Sequence, residues 1–263
     1  MPGTDESAEI GRALGVSEAA VNEASRRLTE VQARIQRAAD RAKRDPNEVQ
    51  LVGVAKRQPE ERILAAVAAG VHVLGQSYIQ EAREIRPTIE AALSRWPANA
   101  TPPPPALRWH MVGRLQRNKA GLAARLFETI ESVDRPELAD KLARCAEQEG
   151  KVLDVLIQLS LCGEPQKGGC EIDALEPLAE KILASPTLRL KGLMTVPAAG
   201  PDPESSRPAF AQLRELREGL SRLDPSLADG ALSMGMSGDL EVAVEEGATL
   251  IRVGTALFGE RVS

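Results

Sequence analysis

Aromatic side chains are nearly missing: two tryptophans, one tyrosine and three phenylalanines make up 2% of 263 residues. The core must therefore be built from Val, Leu, Ile and Ala, which the 43% hydrophobic content supplies in quantity. The net charge of −5, with no Lys/Arg cluster interleaved with aromatics, offers neither the basic surface nor the stacking platform of a nucleic-acid binder. No uninterrupted apolar stretch approaches the roughly 20 residues that span a bilayer, so no membrane segment is expected. The acidic opening Met1-Pro2-Gly3-Thr4-Asp5-Glu6-Ser7 lacks the apolar centre of a signal segment. Only two histidines occur, His72 and His110, neither in a metal-ligand motif, and no metal site is expected. Cys145, Cys162 and Cys170 form an odd set without CxxC spacing, which reads as reduced thiols of a cytoplasmic protein.

What the chain does have is rhythm. Residues 1–16 read as a flexible N-terminus and residues 17–263 as one domain. From about Ser17 to Arg44 the pattern is one long helix, capped by Ser17, with Val21, Leu28, Val31 and Ile35 near one stripe and Asp45-Pro46-Asn47 ending it. Strand candidates follow at Gln50–Ala55, Val71–Gly75, Leu107–Val112, Thr129–Val133, Val152–Ser160, Leu188–Thr195, Ala231–Met234 and Thr249–Val253. Helical stretches lie between them, near Pro59–Ala69, Ser77–Ile85, Asn118–Leu126, Arg135–Glu149, Asp173–Ala184, Glu204–Arg222 and Asp239–Glu246. Eight strands joined by helical crossovers must pair in parallel, and eight is the number that closes a (β/α)8 TIM-type barrel of about 250 residues. An open doubly wound sheet is the competing fold. It would place a Gly-rich turn after its first strand, where this chain has Ala55-Lys56-Arg57-Gln58. The segment from Pro97 to Pro105 is a stiff, proline-rich spacer, or alternatively a polyproline ligand for a partner domain.

The first strand contains the most informative residue. Lys56 closes the apolar run Leu51-Val52-Gly53-Val54-Ala55, and alternation puts it on the face of Val52 and Val54, toward the interior. Desolvation there would favour a neutral amine able to form an imine with an aldehyde. A lysine that has simply left the strand for solvent is the plain alternative. At the seventh strand the chain reads Ser233-Met234-Gly235-Met236-Ser237-Gly238-Asp239, and at the eighth Arg252-Val253-Gly254-Thr255. Glycine paired with hydroxyl residues before a helix suits phosphate, and the loops after strands seven and eight are the usual phosphate site of this fold. Arg252 stands within the apolar run Leu250-Ile251-Arg252-Val253, where a buried guanidinium needs acceptors. Those acceptors are either a core carboxylate or an atom of a ligand at the barrel mouth. An imine-forming lysine, a phosphate cradle and a buried arginine together match pyridoxal 5′-phosphate (PLP), with aldehyde, phosphate and ring nitrogen taken in turn. Arginine can only donate to that nitrogen, which leaves the ring unprotonated and a poor electron sink.

Several long stretches extend this match: Leu51–Lys56, Trp109–Lys119, Ser132-Val133-Asp134, Lys191–Pro197, Arg207-Pro208-Ala209-Phe210, Leu232–Gly238 and Ile251–Gly259. On these the chain resembles, from about Val21 to Arg261, the pyridoxal phosphate homeostasis proteins, which share the barrel of the alanine racemase N-terminal domain. The resemblance implies a Schiff-base lysine at Lys56, phosphate contacts from Ser233, Met234, Ser237, Gly254 and Thr255, and Arg252 facing the pyridine nitrogen. It implies a protein that binds PLP and balances the free cofactor and amino-acid pools with little or no turnover, without catalytic residues; a monomer with PLP-dependent apo-enzymes as partners is expected. The chain departs from the family's Gly-Glu-Asn after the second strand, where it reads Gly75-Gln76-Ser77, and slightly at Cys162 and Lys167-Gly168-Gly169. A PLP-dependent amino-acid racemase is the alternative reading. It would need a second acid/base, which alanine racemase takes from a separate domain of its partner subunit, whereas this sequence ends at Ser263. Tyr78 is expected to be a packing residue, and His110 either approaches the ring or is a satisfied barrel histidine. A barrel aldolase forming its imine with a phosphorylated sugar is a third reading, and Lys119 and Lys191 are minor candidates for a second PLP.

Overall fold

The structure, a computed structural model, describes residues 4–96, 106–161, 168–198 and 200–260. The expectations for the proline-rich segment, Cys162 and Lys167 lie outside the described residues. Eight strands form a closed barrel in sequence order: β1 (Gln50–Val54), β2 (Val73–Gln76), β3 (Arg108–Met111), β4 (Thr129–Val133), β5 (Leu153–Leu159), β6 (Leu188–Thr195), β7 (Ala231–Ser233) and β8 (Leu250–Val253). Every neighbouring pair is parallel. The last pairing closes the cylinder and sets Val52 of β1 beside Arg252 of β8. The barrel expectation is met and the open sheet is ruled out.

The helices are α1 (Thr4–Leu14), α2 (Glu18–Ala42), α3 (Glu60–Ala68), α4 (Ile79–Leu93), α5 (Ala120–Leu126), α6 (Pro136–Gln148), α7 (Leu175–Leu183), α8 (Arg207–Gly219), α9 (Leu240–Glu245) and α10 (Thr255–Phe258). Side chains pointing inward from the strands, among them Val52, Val73, Leu156, Met194 and Leu250, fill the barrel as one small cluster. A larger core lies between barrel and helices, built mainly from Ala, Leu, Val and Ile as the scarcity of aromatics requires.

Two elements differ from what the sequence suggests. Helix α4 runs through Pro87 to Leu93 instead of stopping at Ile85. Proline costs the helix a backbone hydrogen bond, but Ile89 and Ala92 beyond it are buried, and that burial carries the helix onward. The stretch before Ser17, expected to be flexible, contains α1, which packs against α2 and α3. Ile10, Leu14 and Val16 are buried there, and Gly11 admits a methyl of Val21 so closely that a Cβ would stand 2.6 Å from it. Ile10 and Leu14, four residues apart on α1, share one face of the short helix, and Val16 just beyond its end adds to the apolar patch that docks against α2.

If α1 is docked, Leu14→Ala should lower unfolding free energy by about 2–5 kcal/mol, as a buried leucine does. Urea titration checks this, and a change within about 0.5 kcal/mol would mean that the segment contributes nothing to the fold.

Candidate functional site

Backbone geometry delivers Lys56 to the mouth of the barrel. β1 ends at Val54, and the Ala55 N–H still donates to the Gly75 carbonyl at 2.9 Å, which holds the chain in line with the strand. Arg57 then takes a left-handed conformation at φ 53°, with its N–H caught by Glu81 Oε2 at 3.0 Å, and the chain turns away. Lys56 is left half-buried at the rim, where Val54, Lys56 and Gln58 line one side of a cavity of 420 Å³. Its Nζ lies 4.7 Å from the centre of the Tyr78 ring, a cation–π contact. Tyr78 is therefore not a packing residue: the ring is 42% exposed and stands over the amine. The hydrogen bond and the charge of Lys56 both lower the pKa of its hydroxyl.

Opposite β1 the cavity is walled by the loops after β7 and β8, through Met236, Ser237, Gly238, Gly254 and Thr255. Gly235 starts the first loop at φ 89°, a conformation that a side chain resists, and a Cβ there would meet Ala243 at 2.4 Å. Asp239 folds the loop back, accepting the Met236 N–H on Oδ1 at 2.7 Å and the Ser206 hydroxyl on Oδ2 at 2.9 Å. Ser237 Oγ accepts the Ala256 N–H at 3.3 Å and so ties the two loops together. From outside, Arg34 of α2 donates to both oxygens of Glu241 at 2.6 and 2.7 Å and to the Ser237 carbonyl at 2.9 Å. The long N-terminal helix thus braces the loop. A Cβ at Gly238 would meet nothing within 4 Å, so the loop presents bare backbone to open space.

Beneath the cavity lies a buried polar network. Arg252, 4% exposed, donates from Nη1 to Ser233 Oγ at 2.5 Å and from Nη2 to the Thr195 carbonyl at 2.8 Å. Ser233 Oγ in turn donates to Glu131 Oε2 at 2.5 Å, and the other carboxylate oxygen, Oε1, lies 2.6 Å from His110 Nδ1. Burial alone would raise the Glu131 carboxyl. The hydrogen bond and charge of His110, the charge of Arg252 and the Ser233 hydroxyl outweigh burial and hold it below its ordinary value. Burial pulls Arg252 down, and the charges of Glu131 and Asp239 oppose it. His110 Nε2 and Gln76 Oε1 have no partner among the described residues.

Five of the residues singled out on the sequence, Lys56, Ser237, Arg252, Gly254 and Thr255, surround one cavity. The other two do not line it. Ser233 is wholly buried and engaged in the network, and Met234 is wholly buried in the core outside the barrel, its N–H donating to the Leu250 carbonyl. Ser77, from the Gly75-Gln76-Ser77 departure, lines the cavity, and Gly113 packs so near it that a Cβ would stand 2.2 Å from its carbonyl. Lys191 lines a separate cavity with Arg44 and Thr249, at the end where β7 and β8 begin. Glu131 was missed, although a carboxylate inside Thr129-Ile130-Glu131-Ser132-Val133 is as anomalous as an arginine inside β8. No group of three or more metal-binding side chains occurs among the described residues, and no helix there is long and apolar enough to cross a membrane.

A (β/α)8 barrel with a lysine at the end of β1 and glycine–hydroxyl loops after β7 and β8 defines a class, and residues 27–262 match the family model of the alanine racemase N-terminal domain. Curated relatives include the pyridoxal phosphate homeostasis proteins of Aquifex aeolicus, 42% identical over 90% of this chain and 98% of that one, and of Escherichia coli strain K12, 35% identical over 92% and 98%. Among solved structures, PipY of Synechococcus elongatus with PLP bound aligns at TM-score 0.75 and 33% identity over 90% of this chain and all of that one. An unknown protein from Bifidobacterium adolescentis aligns at TM-score 0.82 and 32% identity over 92% and 97%. Alanine racemase of Clostridium difficile, at 14% identity and TM-score 0.63, covers 88% of this chain and 60% of that one and shares the fold. The chain belongs to the alanine racemase N-terminal domain family and, within it, to the pyridoxal phosphate homeostasis proteins.

Because the Glu131 carboxyl is held below its ordinary value, its contribution to stability is complete above the unfolded-state value of about 4.3 and is lost as pH falls through the folded one. Glu131→Gln leaves Arg252 buried without its counter-charge and should cost about 3–5 kcal/mol near neutral pH. The variant's stability should also fall less than the parent's below about pH 4. Denaturant titrations at several pH values check both. Parallel curves for parent and variant would show that the carboxylate is not the group that titrates.

Proposed function

We propose that the cavity at the barrel mouth holds pyridoxal 5′-phosphate and that the protein acts in PLP homeostasis, storing and releasing the cofactor with little or no turnover. The observation that carries this is the donor set around one 420 Å³ cavity: a primary amine from Lys56, a buried guanidinium from Arg252, and the Ser237, Gly238, Gly254 and Thr255 rim. Amine, guanidinium and hydroxyl–glycine rim complement an aldehyde, a pyridine nitrogen and a phosphate. Bound PLP would supply a reactive aldehyde and an electron-withdrawing ring.

The residues assign the rest. Lys56 would anchor the aldehyde carbon covalently, Arg252 would donate to the ring nitrogen, and the two loops would hold the phosphate. The guanidinium donates to two acceptors among the described residues, Ser233 and Thr195, and a guanidinium carries five N–H groups, so donors remain for a ligand. Because it can only donate, the ring nitrogen would stay unprotonated, which disfavours carbanion chemistry. Racemisation needs acid/base groups on opposite faces of a substrate carbon. Tyr78 is engaged with the Lys56 amine itself, 4.7 Å from Nζ to its ring centre, and His110 does not line the cavity. The alternative racemase reading is weaker for that reason.

The half-buried Lys56 and the exposed Thr255 leave the mouth open, which suits exchange with PLP-dependent apo-enzymes. A cytoplasmic setting is supported by the free thiols of Cys145 and Cys170, the latter pushed up to about 12, chiefly by burial, and so inert. Only Tyr78, Val152 and Ile172 are large exposed apolar side chains among the described residues, which fits a monomer.

Titration with PLP followed by absorbance should give a saturable band near the visible edge in the parent and none in Lys56→Ala. Thr255→Ala should retain the band with affinity weakened about ten- to a hundredfold, the worth of a hydrogen bond to a charged group. An unchanged band in Lys56→Ala would remove the lysine from this role.

A further inference from the structure

Beside the cofactor cavity lies a larger one of 900 Å³ that shares Lys56, Ser77, Val112 and Val196 with it. Among the described residues its lining carries five cationic side chains, Lys56, Arg114, Arg117, Lys119 and Arg135, and no carboxylate, in a chain whose net charge is −5. Arg135 is already engaged, pairing with Asp134 and donating to the Leu115 carbonyl at 3.1 Å. Arg114, Arg117 and Lys119 have no carboxylate within 4.0 Å among the described residues. Elsewhere in the molecule arginines are neutralised within the protein: Arg34 by Glu241, and Arg207 by Glu204, Glu245 and Glu246. Three unneutralised cations from one connection, β3 to α5, focus positive potential into a concave space.

We propose that this chamber is a second binding site, for a small organic polyanion carrying a phosphate or more than one carboxylate, contiguous with the cofactor cavity at Lys56. The cations supply charge-assisted donors. Ile79, Met111 and Leu115 give the chamber an apolar surface, which selects an organic anion over a bare ion. The position is set by the fold: the Arg117–Lys119 turn precedes α5 at the end of β3, so its charges stand over the same barrel mouth as Lys56. An anion held there would lie against the amine that the cofactor reading assigns to PLP. The proposal goes beyond that reading, because the chamber's charges need no cofactor in order to bind.

The test is calorimetric titration of the PLP-saturated protein, and of protein without PLP, with phenyl phosphate and separately with succinate, at constant ionic strength. In the PLP-saturated protein one site per chain is expected, its affinity at least tenfold weaker in Arg114→Ala/Arg117→Ala/Lys119→Ala and unchanged in Thr255→Ala. The triple variant should keep the PLP absorbance band, which shows that it is folded. Phenyl phosphate alone would identify the occupant as a phosphate ester, succinate alone as a polycarboxylate. No heat with either probe, affinity that survives the triple variant, or equal loss in Thr255→Ala would overturn the proposal. A missing PLP band with the anion site intact would sink the cofactor reading and leave this one standing.

Discussion

The barrel mouth depends on how the charge of Arg252 is neutralised. A guanidinium inside a closed cylinder of Val, Leu and Met would be prohibitively costly alone. Here it is linked through the Ser233 hydroxyl to Glu131, and Glu131 to His110, so strands β8, β7, β4 and β3 are joined across the interior by one chain of polar contacts. The Thr195 carbonyl adds β6. Such a network is directional where the surrounding apolar packing is not, and it fixes the guanidinium at the floor of the cavity. The same register that sets Arg252 beside Val52 brings Lys56 to the rim above it.

Around this floor the loops are held from the outside. Asp239 and Ser206 shape the turn after β7, Ser237 joins it to α10, and Arg34 of the long N-terminal helix fastens the assembly through Glu241 and the Ser237 carbonyl. A helix that precedes the barrel in sequence thereby positions residues some two hundred places later. Scaffold and site are separable in this design: packing builds the cylinder, and a few hydrogen bonds aim the loops.

The eight strands were legible because short apolar runs alternate with helical patterns, and Lys56 and Arg252 were legible because a charge interrupts such a run. Glu131 carries the same signal, but its partner could not be read, since which of eight strands it faces depends on barrel closure. Ser233 illustrates the limit from the other side: its loop has the composition of a phosphate site, yet the β7 register turns its hydroxyl inward, where Arg252 and Glu131 claim it. Tyr78 looked like packing material because a lone aromatic at a helix start usually is; the turn at Arg57 that sets Lys56 beneath it depends on Glu81 of α4. The basic chamber was invisible because Arg114, Arg117 and Lys119 acquire meaning only beside Lys56, about sixty residues earlier in the chain.

The central claim is that one amine, Lys56, is the covalent anchor of PLP while other lysines at the mouth are not. Borohydride reduction of the PLP-loaded protein, followed by proteolysis and mass spectrometry, tests this directly. The account predicts a stoichiometric pyridoxyl adduct confined to the peptide that contains Lys56. An adduct found instead on Lys119, or spread over surface lysines without preference, would contradict it.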